Sequence, residues 1–305
     1  MLNIKKSPVH PGDFYFSFVP MIQFDAQLHL LIKNALAEDI GDGDHSTLSC
    51  IQPAAAGKAI LKIKDEGILA GVQVAEKVFR YMQPDVQFEI LKQDGESMHY
   101  GEIAFEVTAK VHTILQCERL ALNCMQRMSG IATLTKKYTD KLKGYKTQLL
   151  DTRKTTPNFR LLEKEAVRIG GGLNHRQGLY DMIMLKDNHI DYCGGIVQAI
   201  EKAYSYVQTI KPGLKIEVET RTLDDVQKAV ATQKVDRIML DNFTPALITD
   251  ALKIIDGSCE TEASGGITLD NIESYAATGV DFISSGAVIH QARSLDLSLK
   301  ALPLN

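Results

Sequence analysis

Several features are missing from this chain, and each absence closes off a class of protein. No apolar run approaches the ~18 residues that a membrane-spanning helix needs. There is no basic excess: 34 Lys and Arg stand against 38 Asp and Glu, for a formal net charge of -4. That balance argues against a general nucleic-acid or membrane-surface binder. Cysteines are few, odd in number and scattered (Cys50, Cys117, Cys124, Cys193, Cys259), with no CxxC spacing. Neither a disulfide framework nor a zinc knuckle is indicated, and reduced thiols in the cytoplasm are the expectation. The nucleotide fingerprint GxGxxG of a doubly wound sheet is missing. The acidic loop 39–47 alternates aspartates, but Cys50 stands where an EF-hand requires its last glutamate. The patch 14–19 is short, ends at Pro20 and has no small-residue cleavage site, so residues 1–20 read as a leader outside the folded core, not as a signal peptide.

What is present is an ordinary globular composition, 45% hydrophobic and 24% charged over 305 residues. It suffices for one large domain or two unequal ones. Periodicity predicts a helix over 24–37, strands over 58–63 and 67–70 paired around the turn Asp65-Glu66-Gly67, and a helix over 72–82. Strands follow over 86–91 and 103–109, then a helix over 113–130. This first part reads as α+β. Beyond about residue 124, short apolar strands alternate with helices, the pattern of a parallel sheet built from βα units. The strands are expected over 148–150, 181–185, 214–218, 237–240, 261–263 and 281–284. The helices are expected over 197–207, 223–231, 245–255 and 269–278.

Each of these strands ends on polar chemistry: Asp151, Arg153 and Lys154, then Lys186, Glu219, Asp241, Ser264 and Ser285. In an α/β barrel the strand C-termini form the active site. The window 151–190 carries seven Lys/Arg and two His against five Asp/Glu, a local positive excess suited to a small polyanion. Arg153 and Lys154 read as an anion clamp, and His175-Arg176 follows three consecutive glycines. Lys186 is either a Schiff-base nucleophile or an electrostatic ligand. Glu217 and Glu219 share one strand face, with Glu219 nearer the C-terminal end. With Asp241 it suggests Mg²⁺ or ribose hydroxyls, against plain ion pairing with nearby cations. Ser264-Gly265-Gly266 and Ser285-Gly286 read as phosphate turns, the first opening a helix.

Seven segments in order, Glu118-Arg119-Leu120-Ala121-Leu122-Asn123, 151–157, Asn174-His175-Arg176, 185–189, Glu217-Val218-Glu219, Leu240-Asp241-Asn242 and Ser264-Gly265-Gly266, resemble the quinolinate phosphoribosyltransferase family. The resemblance covers about residues 22–298. It implies an α/β class chain of the type II phosphoribosyltransferase fold. An N-terminal α/β sandwich spans 21–123, with 292–305 packed on it, and an incomplete TIM-like barrel spans 124–291. It implies that quinolinate and phosphoribosyl pyrophosphate give nicotinate mononucleotide, pyrophosphate and CO₂ with Mg²⁺, in NAD synthesis. The implied assembly is a homodimer with Arg119 entering the partner's site; whether dimers pair into hexamers stays open. By the same resemblance Arg153, His175, Arg176 and Lys186 hold the two carboxylates. Lys154 and Lys186 meet the phosphoribosyl donor, and Thr152 lines the same wall. Glu219 and Asp241 take ribose hydroxyls and, indirectly, Mg²⁺, and Ser264, Gly265, Gly266, Ser285 and Gly286 cradle the 5-phosphate. The catalytic set is then Lys154, Lys186, Glu219 and Asp241. Three rivals stand beside this: a molybdenum-operon homologue of the same fold, a Schiff-base aldolase using Lys186, and a barrel that only senses a phosphorylated metabolite.

Overall fold

The structure is a computed structural model that describes residues 21–302. The leader expected over 1–20 lies outside the described residues. The first half runs α1 (Met21–Ile40), α2 (His45–Cys50), β1 (Ala56–Ile63), β2 (Gly67–Ile68), α3 (Val72–Met82), β3 (Gln87–Ile90), β4 (Ser97–Met98), β5 (Ile103–Lys110) and α4 (Val111–Lys141). The second half alternates β6 (Gln148–Leu150), α5 (Arg160–Ile169), β7 (Ile183–Leu185), α6 (Asp187–Cys193), α7 (Ile196–Thr209), β8 (Ile216–Thr220), α8 (Leu223–Thr232), β9 (Arg237–Asp241), α9 (Pro245–Ile255), β10 (Glu260–Ser264), α10 (Ile272–Ala276), β11 (Phe282–Ser284) and α11 (Ala287–His290). The last strand, β12 (Leu297–Leu302), returns to the first half.

In that half a four-stranded antiparallel sheet has the order β12-β1-β5-β3. Leu28, Ile32 and Leu36 recur every fourth residue on α1 and are buried, the apolar stripe of a surface helix. Phe79 of α3 packs on Phe88 and Phe105 of the sheet, with ring centroids 5.8 and 6.2 Å apart. Two expectations fail here. β1 and β2 do not form a hairpin; β2 pairs with β4, while the chain leaving β1 stays beside β12 through Lys64 N–H donating to Asp296 O at 3.0 Å. A distant strand thus takes the place that a local turn signal suggested. The other failure is α4, which does not stop at Gly130 but continues to Lys141. Gly130 is there because the backbone of Arg293 crosses it: a Cβ would stand 1.9 Å from Arg293 O.

The second half is a parallel sheet of six strands in the order β6-β11-β10-β9-β8-β7. A bridge between Leu150 and Leu173 adds a further stave beside β6. β6 and β7 are not paired, so the barrel is incomplete. Helices cover it with one apolar face, as on α7, where Ile196, Ala199, Ile200, Ala203 and Val207 are buried. α5, α6 and α11 were not anticipated, and α10 is shorter than the 269–278 expected.

Register decides what faces the lumen, because residues paired across a parallel sheet point to the same side. Met184 pairs with Glu217, Glu217 with Arg237, and Arg237 with Glu260. One step higher, Glu219 pairs with Met239, Met239 with Glu262, and Asp241 with Ser264 at the top.

Candidate active site

The strand ends converge at one mouth. Lys186 Nζ lies 3.6 Å from Glu219 Oε2 across the ends of β7 and β8. The backbone there is set by His189, whose Nδ1 accepts the Lys186 N–H at 3.0 Å. Asp241 neighbours Ser264, and Asn242 N–H donates to Ser264 O at 2.8 Å, which knits the ends of β9 and β10. On the other wall, a Cβ at Gly286 would stand 3.0 Å from Lys154 Cδ and 3.2 Å from Thr152 Oγ1. The Lys154 stem therefore lies directly on the Ser285-Gly286 turn, and a larger residue at 286 would have to push it aside. Arg160 ties this wall to the next loop, donating to Thr155 Oγ1 at 3.0 Å and to Gln177 O at 2.8 Å. Arg127 of α4 and Thr156 both donate to Glu163, which anchors the loop after β6 to the long helix.

Arg119 is not part of this gathering. It is exposed on α4, one turn from exposed Leu115. It lies eight residues, or about 12 Å of helix rise, before Arg127.

Arg153 and Arg176 carry the strongest electrostatic signal. Arg153 Nε is buried without a hydrogen-bond partner. Among the described residues neither guanidinium has a carboxylate within ion-pair distance. Burial lowers the Arg176 pKa, and the charge of Arg153 lowers it further. Two like charges close together, Arg176 buried and Arg153 partly so, are suited to pairing with a dianion.

Beneath the mouth lies a polar floor, of which sequence reading singled out Asp151, His175 and Glu217 but missed Lys164, Arg237, Glu260 and Glu262. Asp151 is fully buried and pairs with Lys164, which is 1% exposed. Asp151 also accepts from Asn174 Nδ2 at 2.7 Å and from the His175 N–H at 2.8 Å. Further in, His175 Nε2 lies 3.0 Å from Glu217 and 3.2 Å from Glu262. Arg237 donates to Glu262 at 3.1 Å and to Glu260 at 2.8 Å, and stacks over the Phe282 ring at 4.3 Å. Burial and the Glu262 charge push the Glu217 pKa up; against its own burial, Glu262 is held at about 2 by His175 and Arg237. The signal for Glu260 and Glu262 was available: charge at alternate positions of a strand, as for Glu217 and Glu219. Nothing local marked Lys164.

The trio His175, Glu217 and Glu262 is compact enough to resemble a metal site. Yet Nδ1 of His175 accepts the Arg176 N–H at 2.7 Å, so the ring proton sits on Nε2. A protonated Nε2 has no lone pair for a metal. Burial works to lower the ring pKa, but the charges of Glu262 and Glu217 outweigh it and raise it to about 10.

The phosphate turns also differ from expectation. Ser264-Gly265-Gly266 does not open a helix directly; α10 begins at Ile272 and spans only five residues. α11 after Ser285-Gly286 spans four. An anion at these turns would meet turn N–H groups and Lys154, not a helix dipole.

Two family descriptions match the chain: "Quinolinate phosphoribosyl transferase, N-terminal domain" over residues 44–129, and its "C-terminal domain" over residues 131–300. A chloroplastic nicotinate-nucleotide pyrophosphorylase [carboxylating] of Arabidopsis thaliana is 42% identical over 288 residues, covering 90% of this chain and 82% of the relative. A probable nicotinate-nucleotide pyrophosphorylase [carboxylating] of Bacillus subtilis is 41% identical, covering 90% of this chain and 93% of the relative. The crystal structure of NadC from Streptococcus pyogenes superposes with a TM-score of 0.84 at 39% identity, covering 92% of this chain and 98% of that one.

Proposed function

The chain belongs to the quinolinate phosphoribosyltransferase family, and on that premise we propose a division of labour in its barrel mouth. The enzyme transfers the phosphoribosyl group of phosphoribosyl pyrophosphate to quinolinate, releasing nicotinate mononucleotide, pyrophosphate and CO₂ in NAD biosynthesis. Arg153 and Arg176 take the quinolinate carboxylates. Their placement side by side without a carboxylate partner is the observation that carries this assignment. Lys186 contributes charge from the opposite wall, and Arg119 of a second copy completes the clamp in a homodimer. Exposed Leu115 beside Arg119 supports a covered face there.

The 5-phosphate rests on Ser264, Gly265, Gly266, Ser285 and Gly286, with Thr152 and Lys154 alongside. Glu219 and Asp241 hold the ribose hydroxyls. These two lumen-facing carboxylates at adjacent strand ends are oxygen donors of the kind Mg²⁺ prefers. They would hold the ion through the ribose, where it supplies positive charge for the departing pyrophosphate. The pyridine nitrogen attacks the anomeric carbon as the bond to pyrophosphate breaks. Positive charge develops on the ribose, which Glu219 and Asp241 tolerate, and negative charge on the leaving group, which Lys154 and Lys186 stabilise. The quaternised ring then accepts the electron pair released when the 2-carboxylate leaves as CO₂, and a proton replaces it.

Lys186 as a Schiff-base nucleophile is not favoured. Its side chain is 47% exposed and lies 3.6 Å from Glu219, not in the desolvated apolar pocket that activates a Schiff-base lysine. The five free thiols support a reducing compartment such as the cytoplasm.

The test is turnover with quinolinate, phosphoribosyl pyrophosphate and Mg²⁺. Nicotinate mononucleotide and CO₂ should form in equal amounts, and nicotinate should replace quinolinate only poorly because a cation is left unpaired. No product beside an active control enzyme would overturn the reading.

A further inference from the structure

Resting on the phosphoribosyl-transfer reading above, we propose that Arg127 of α4 is a positioning residue for the reaction. Its hydrogen-bond partners include none of the residues assigned to a substrate. From the long helix it holds the loop after β6 and the turn after β11 in register with each other.

An arginine offers several N–H donors in a rigid planar fork. In Arg127, Nε and Nη2 donate to Glu163 Oε1 at 2.9 and 2.8 Å. Nη1 donates to Ala292 O at 2.7 Å, and Nη2 also donates to Ile289 O at 2.9 Å. These two carbonyls stand at the C-terminal end of α11, where a helix leaves its acceptors without intrahelical donors. Glu163 is fully buried, and its carboxylate accepts the Thr156 N–H at 2.8 Å and the Thr156 hydroxyl at 3.0 Å. Ile289 N–H in turn donates to Gly286 O at 3.0 Å. Two short chains of contacts thus leave one guanidinium. One runs through Glu163 to Thr156, three residues beyond Arg153; the other runs through Ile289 to Gly286.

The sheet itself stops short of this. β6 and β11 pair up to Leu150 and Ser284, and Ser285 N–H donates to Leu150 O at 3.1 Å. Beyond that rung, segments 152–163 and 286–292 share no direct hydrogen bond among the described residues, and Arg127 supplies the link. Its helix is a firm base, because Gln126 O accepts the Leu295 N–H at 3.1 Å and Gln126 Nε2 donates to Leu297 O at 3.0 Å. In the reading above, Arg153 holds the pyridine and Gly286 the phosphate of the donor. Their spacing sets the distance from ring nitrogen to anomeric carbon. A shift of about 1 Å in such a distance costs on the order of a hundredfold in rate. Lysine, a point charge on a flexible stem, does not reproduce a fork bonded in three directions.

Full-length Arg127→Lys and the double variant Arg127→Met with Glu163→Gln test this. In the double variant, Glu163→Gln avoids an unpaired buried charge and keeps an acceptor for Thr156. The quinolinate dissociation constant, KM for phosphoribosyl pyrophosphate, the single-turnover rate and the melting temperature are measured for each. Each substrate keeps its own ligand groups, so both binding constants should stay within about threefold while the single-turnover rate falls about thirtyfold or more. The rate should stay low in the double variant even where its melting temperature matches that of the wild type. A double variant with the wild-type rate would overturn the proposal. A larger rise in either binding constant would make Arg127 a binding determinant and overturn it as well. So would a rate loss that disappears when the assay is run well below the melting temperature, which marks general loosening. Should the double variant not fold, Arg127→Lys, which keeps a charge beside Glu163, decides by the same criteria. Wild-type turnover is followed in parallel. No wild-type product sinks the phosphoribosyl-transfer reading, whereas normal wild-type turnover beside unimpaired variants sinks only the role of Arg127.

Discussion

Lys164 has almost no access to water, and Asp151, the one carboxylate within ion-pair distance of it among the described residues, is equally buried. Burial pushes the lysine pKa down and the Asp151 pKa up, and the charge of each partner opposes that shift in the other. Removing one member leaves the other without compensation. Lys164→Met should therefore destabilise the fold by about 3–5 kcal/mol, read by urea denaturation. Asp151→Asn with Lys164→Met should recover part of that loss; a double variant no better than the single would contradict the pairing argument. At this scale the sequence was uneven. Arg153 and Lys154 could be singled out because they follow an apolar strand. Lys164 could not, because a lysine between two glutamates on a helix looks solvated until α5 is laid over the end of β6.

Elements show the same division. α7 and α9 follow from apolar periodicity, and β6, β8 and β9 were placed to within a residue or two. The end of α4 was misread, since a glycine is as good a stop signal as it is a crossing point. Gly130 permits the passage of Arg293 across α4. Gly130→Ala should lower stability by about 1–3 kcal/mol through overpacking, even though alanine is the better helix former. A calorimetric melt checks this; an unchanged or raised Tm would mean that the Arg293 segment shifts freely. The same crossing brings the chain back to β12, so the variant should also loosen the edge of the first sheet.

At the scale of the whole molecule, the proposed site needs two chains. Arg119→Ala and Lys154→Ala homodimers should each be nearly inactive. Mixed after unfolding and refolding together, they should recover about a quarter of wild-type activity, because half the dimers hold one intact site of two. No recovery would place Arg119 in its own chain's site or outside any site. The alternation of strands and helices along the chain, the ordered cationic and acidic strand ends, and hence the fold and family, were determined by the sequence alone. They are encoded in local periodicity and in residues adjacent along the chain. The lateral partners were decided only by the tertiary structure: Glu262 against His175, Lys164 against Asp151, β12 against β1. Those contacts arise when the sheet closes and the chain returns upon itself, and nothing in a local window of sequence records which distant segment will arrive there.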